Sequence, residues 1–200
     1  LRLTWILLAG SFFSPLFLAA SKAQGSVRWT TNFYSVTGTT IPELRQSIRE
    51  KRPWKERSPH DATTEWRLNW QYTVTPTASG CRCSSFTTQT AITITMPRWA
   101  APTNAPETTR TIWREYITAL GRHEVGHGAI AVAAAAELDK RVQALGEAAE
   151  CDELKRKIEA LCPRVIEEFR ARDKAYDETT RHGATQGAVL PGSRGRQVRP

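Results

Sequence analysis

Two stretches of the chain, "TEWRLNWQYTVTP" (64–76) and "SSFTTQTAITITM" (84–96), alternate polar with apolar, aromatic or β-branched residues. That is the period of a half-buried strand. The short "TASG" between them predicts an antiparallel hairpin, and "RWTTNFYSVT" (28–37) reads as a further strand. The segment "TTIPELRQSIREKRP" carries helix-start signals in Thr40, Pro42 and Glu43, with Pro53 as its stop. The polar loop that follows, 54–63, holds His60, which has no partner at metal-binding spacing and reads as a surface histidine.

After the connector "PRWAAPTNAP" the period changes to three and four. From Glu107 onward Trp113, Tyr116, Ile117, Leu120, His123 and His127 share one broad helical face. The alanine run 131–136 suits close packing against neighbours, and Gly146 is a plausible stop. A second helix is expected over about residues 152–180, with Pro163 predicting a kink or break. Strands first and helices after imply an α+β fold: N-terminal antiparallel strands with a helix, then two long helices.

Composition refines this picture at the two ends. The opening "LRLTWILLAGSFFSPLFLAASKAQG" has an early Arg2, an apolar stretch and small residues at Ser21 and Ala23. It has the layout of an export signal cleaved after Ala23, with no stable membrane insertion afterwards. We therefore expect a signal segment 1–23, one domain over 24–190, and a basic flexible tail 191–200. The net charge of +8 owes much to that tail, with three arginines and no acid. A polyanion-binding role for it is a weaker reading than simple solvation, and no nucleic-acid partner is expected. Cys81, Cys83, Cys151 and Cys162 are an even set, so disulfides are expected in an oxidising compartment. Cys151 and Cys162 cannot join within one continuous helix, whose eleven intervening steps rise about 16 Å.

The chemistry concentrates in "HEVGH", residues 123–127. Positions i and i+4 of a helix lie one above the other, so His123 and His127 can offer two imidazoles to one zinc ion. Zinc brings the pKa of a bound water near neutrality, and Glu124 beside it can take the proton and return it to a leaving amine. This is the metallopeptidase use of H-E-x-x-H. Familiar continuations fail: Ile130 and Ala133 stand where a metzincin has glycine and histidine.

Taken together, "YSVTGTTIPEL" (34–44), "SGC" (79–81), "PRW" (97–99), "HEVGH" and "YDETTRHGATQGA" (176–188) resemble a family of predicted secreted bacterial zinc-dependent proteases, domain of unknown function 922. The resemblance implies a zincin-like fold, a periplasmic or extracellular location and a peptidase reaction class. It points to His123, Glu124 and His127, and to Tyr176, Asp177, Thr180, His182 and Gly183.

A third metal ligand is expected from the returning helix or the residues just after it. The first helix climbs about 27 Å between His127 and Leu145, and a return from Cys151 regains that height near Phe169. Allowing for slack, Asp173, Asp177, Glu178 and His182 come within reach. As the sole imidazole, His182 is the preferred ligand, with Asp177 then orienting an imidazole and Tyr176 donating to a developing oxyanion. Asp177 is the alternative ligand, with His182 stabilising the transition state. The expected function is zinc-dependent hydrolysis of a protein or peptide substrate, with the threonine-rich strand 84–96 as cleft edge. The alternative is a zinc-stabilised envelope binding or regulatory protein with little turnover.

Overall fold

The alternating stretches do form a sheet, but its strands do not all run as expected. A computed structural model describes residues 25–54 and 60–192. The expected export segment, the loop 55–59 and residues 193–200 of the tail lie outside them. The sequence order is β1 (Ser26–Val36), α1 (Ile41–Lys51), β2 (Thr63–Pro76), β3 (Cys81–Trp99), α2 (Glu107–Gln143), the short β4 (Glu147–Ala148) and α3 (Cys151–Thr180). The fold is α+β, with a mixed sheet and three helices.

Strands β2 and β3 make the expected antiparallel hairpin, with a register shift between Thr73 and Val74. β1, however, pairs in parallel with β3, Trp29 opposite Ile92 and Phe33 opposite Met96. The purely antiparallel expectation is corrected for a simple reason: α1 intervenes between β1 and β2, so β1 need not be a hairpin neighbour of anything. This places β3 in the centre, with β1 on one side and β2 on the other. The strand 84–96 therefore cannot be the cleft edge, since both its sides are already paired.

Helix α1 begins as its residues dictate. The Thr40 side chain accepts from the Glu43 backbone N–H, and Glu43 reaches back to the Thr40 N–H. Helix α2 lays one face on the sheet and α3. Leu120, Ala131, Ala134, Leu138 and Val142 are buried there against Trp66, Ile92 and Ile94 of the sheet and Leu154, Ile158, Val165 and Phe169 of α3. Only part of the alanine run faces inward: Ala131, Ala134 and Ala135 are buried while Val132 is 37% exposed. Helix α3 runs unbroken through Pro163, where its sequence predicts a kink or break. Pro163 leaves the Glu159 carbonyl without its intrahelical donor, and the next carbonyl, of Ala160, accepts from the Arg164 side chain at 3.0 Å.

Cys81 bonds Cys151, tying the start of β3 to the first residue of α3. Cys151 and Cys162 lie on one continuous helix and do not pair. Cys83 and Cys162 are both free, which corrects the expectation that all four are oxidised. The disulfide closes a separation of 70 residues, for which loop-closure entropy gives roughly 4 kcal/mol. Removing it should lower unfolding stability by about 2–4 kcal/mol, measured as the shift in denaturant midpoint between oxidised protein and a Cys81→Ser/Cys151→Ser variant. Among the described residues no helix is long and apolar enough to cross a membrane.

Candidate metal centre

His123, Glu124 and His127 sit on the inward face of α2, all three nearly inaccessible to solvent. Burying two imidazoles and a carboxylate is costly unless each finds partners. Across from them, α3 presents Asp173 and Asp177, one helical turn apart. His127 Nδ1 lies 2.8 Å from Asp173 Oδ1, and Trp66 Nε1 donates to the other oxygen of that carboxylate at 3.2 Å. His123 Nδ1 lies 3.0 Å from Gln186 Oε1. Both outer nitrogens therefore face acceptors, which makes them N–H donors and leaves each Nε2 with a lone pair in the neutral ring.

Those two Nε2 atoms are 3.2 Å apart, and Asp177 Oδ1 is 3.1 Å from one and 3.2 Å from the other. Three donor atoms thus stand in a near-equilateral triangle. Tetrahedral zinc with ligands at about 2.0–2.1 Å needs donors about 3.3 Å apart, so the spacing fits. Three lone-pair-bearing atoms held this close repel one another unless a proton or a metal ion lies among them. Burial alone would lower the His127 pKa, but hydrogen bonds and attraction from Asp173 and Asp177 raise it to about 10, so the two carboxylates draw positive charge, a proton or a metal ion, to this point. Burial pushes the Asp177 carboxyl up, and its contacts with His123 and His127 outweigh this, holding it far below the usual carboxylate range.

Among the described residues, the group able to hold a metal is His123, His127 and Asp177. The preferred third ligand, His182, does not join it. Its Nδ1 is 3.1 Å from Asp177 Oδ1, on the solvent side, and its side chain is 48% exposed. The reason lies in the end of α3. Arg181, His182 and Gly183 all adopt left-handed backbone conformations, which turn the backbone away immediately after the helix. Gly183 is required there twice over, since a Cβ would also meet the His123 ring at 2.9 Å.

Tyr176 is likewise not where an oxyanion donor should be. Its ring stacks on His123, centroids 5.1 Å apart, and meets His127 edge-on at 4.9 Å. Its hydroxyl lies among the His123 carbonyl and the Gln186 amide, beside Gly126, where an added Cβ would come within 2.2 Å of it. Tyr176 backs the imidazoles rather than facing a ligand, because it is turned roughly 100° around α3 from Asp177.

The open side of the donor group is a cavity of about 400 Å³. His123, Glu124, His127 and Asp177 line it together with Thr64, Asp61, Arg45, His60 and His182. The β2 edge, at Thr63 and Thr64, takes the rim position expected of β3. Thr64 Oγ1 lies 2.7 Å from Glu124 Oε2. Burial raises the Glu124 pKa, against the lowering effect of that Thr64 bond and of the two histidines. His60 is no surface residue: its ring centroid is 4.2 Å from that of His182. Burial first, then the neighbouring His182, lowers its pKa. Its backbone carbonyl accepts from Trp54 Nε1 at 3.0 Å, and next to it Asp61 accepts from the hydroxyls of Tyr34 and Tyr116.

Those two tyrosines give a pH signature. Burial, reinforced by Asp61, raises the pKa of both above the ordinary value of 10.0. A raised folded-state pKa means stability that is intact below about pH 10 and is lost as pH rises beyond it. Unfolding stability should therefore fall above about pH 10, and less steeply in Tyr34→Phe, as read by denaturant midpoints across pH. An unchanged slope in that variant would count against the arrangement.

The fold and site define a class: an α+β protein with a mixed sheet, whose helix-borne histidine pair and facing aspartate can hold a metal ion. The protein belongs to the family described as bacterial protein of unknown function DUF922, whose model matches residues 31–183. No curated protein and no solved structure matches it.

Proposed function

We propose that the protein is an exported bacterial zinc-dependent peptidase of zincin-like architecture, with His123, His127 and Asp177 as metal ligands and Glu124 as general base. The observation that carries this reading is the triangle of donors at 3.1–3.2 Å, opening with Glu124 onto one cavity. Bound there, zinc supplies a Lewis acid that polarises a carbonyl and makes water nucleophilic near neutral pH. The protein's own residues do the rest. Asp173 and Gln186 fix the two imidazoles in the ligating tautomer, as supporting hydrogen bonds do in metal sites. Glu124, its carboxylate steadied by Thr64 and its pKa raised by burial, accepts the proton of the attacking water and delivers it to the leaving nitrogen.

His182 and His60, side by side at the cavity wall, take over the oxyanion role first expected of Tyr176. The β2 edge at Thr63 and Thr64 offers backbone groups to an extended substrate. Export is supported by the apolar stretch at residues 3–20 and by the Cys81–Cys151 bond. The direct test is cleavage of an unbiased peptide library by purified, zinc-loaded protein, with and without chelator. Chelator-sensitive cleavage is expected; cleavage that survives complete metal removal, or none at all, refutes the peptidase reading.

A further inference from the structure

The cavity has a second set of lining residues besides the donor group. Leu120, Ala188, Val189 and Leu190 give it apolar walls, and Arg45 of α1 projects into it. One Arg45 Nη donates to the Leu190 carbonyl at 2.6 Å. Its Nε is buried and has no hydrogen-bond partner. Among the described residues no carboxylate lies within ion-pair distance of the guanidinium. Asp61, a carboxylate on the cavity wall, accepts from the Tyr116 hydroxyl at 2.7 Å. A guanidinium stays charged at any working pH and presents a planar fork shaped for two carboxylate oxygens. Half-buried, this fork has among the described residues a neutral carbonyl as its hydrogen-bond partner and no carboxylate paired with it.

We propose that Arg45 is the specificity-determining residue of this cavity and selects ligands bearing a carboxylate, either that of an acidic residue or the terminal α-carboxylate of a peptide. The inference rests on the peptide-binding role proposed above but not on turnover. The apolar walls hold the aliphatic part of the ligand residue while Arg45 takes its charged end. Arg181, also at the cavity, lies beyond the end of α3 and is exposed, so it adds attraction without a fixed geometry.

The experiment uses the zinc-loaded full-length protein with Glu124→Gln, so that hydrolysis does not intervene. Four probes are titrated by calorimetry: acetyl-Leu-Glu-amide, acetyl-Leu-Gln-amide, acetyl-Leu-Leu with a free α-carboxylate, and acetyl-Leu-Leu-amide. The expected result is about tenfold tighter binding of at least one carboxylate probe than of its neutral counterpart. The first pair reads a side-chain carboxylate and the second a terminal one. Arg45→Gln should erase the preference at unchanged zinc stoichiometry, and Arg45→Glu should turn it toward acetyl-Leu-Lys-amide, a gain that misfolding cannot mimic. Equal affinities within both pairs, no binding of any probe, or a preference that persists in Arg45→Gln because the metal itself takes the carboxylate, would each overturn the assignment. Carboxylate preference without peptide cleavage by the Glu124-containing protein would refute the peptidase reading and leave this one standing.

Discussion

Glu124→Gln should bind one zinc per molecule with unchanged affinity and lose about a thousandfold or more of the hydrolysis rate, toward the upper end of what a general base supplies. The substitution keeps the shape of the side chain and its contact with Thr64 while removing the group that accepts the proton. Metal affinity should not move, because the donor triangle consists of His123, His127 and Asp177 and excludes Glu124. Parallel metal analysis and peptide hydrolysis separate the possibilities. A variant that keeps its activity points to a binding protein or to another base, and one that loses zinc places Glu124 among the ligands.

The second large effect is at Asp177. Asp177→Ala removes the oxygen that meets both Nε2 atoms and leaves a pair of imidazoles with no third donor in line. Zinc affinity should drop by more than the roughly 10–100-fold that loss of a supporting hydrogen bond costs. Asp173→Ala should fall within that range, since it only orients His127. His182→Ala should keep near-normal zinc binding and lose catalytic rate instead. Competition with a chromophoric chelator gives all three affinities. Equal loss in His182→Ala and Asp177→Ala would restore His182 as a ligand.

These outcomes also bear on how much of the centre is legible in the sequence. The histidine pair is, because an α-helix places i and i+4 together whatever surrounds it, and the period around residues 113–127 marks a helix. The strands are legible from alternation. Their pairing is not, since alternation says which residues face inward but carries no direction, and so the parallel pairing of β1 escapes it. On the far side of the centre the rise of a returning helix brings residues beyond 170 opposite the histidine pair, where Asp173 and Asp177 lie. It does not say which of several polar groups faces inward. A useful signal lies in the spacing of Asp173 and Asp177, which repeats the one-turn step of His123 and His127. A preference for imidazole as ligand obscures it, and Tyr176 falls on the other side because a neighbour in sequence is more than a quarter-turn away in a helix. His60 and Arg45 have no local pattern to betray them, as tertiary packing alone brings them to the cavity.

The order in which the centre's parts leave the ribosome has a consequence of its own. His123 and His127 are made before Asp173, Asp177 and Gln186, which follow them by some 46 to 63 residues. Until α3 has folded back along α2, the growing polypeptide bears two histidines with neither their third donor nor the hydrogen bonds that orient them. On the proposed reading, a nascent or translocating polypeptide lacks hydrolytic competence until α3 and the segment through Gln186 have docked on α2.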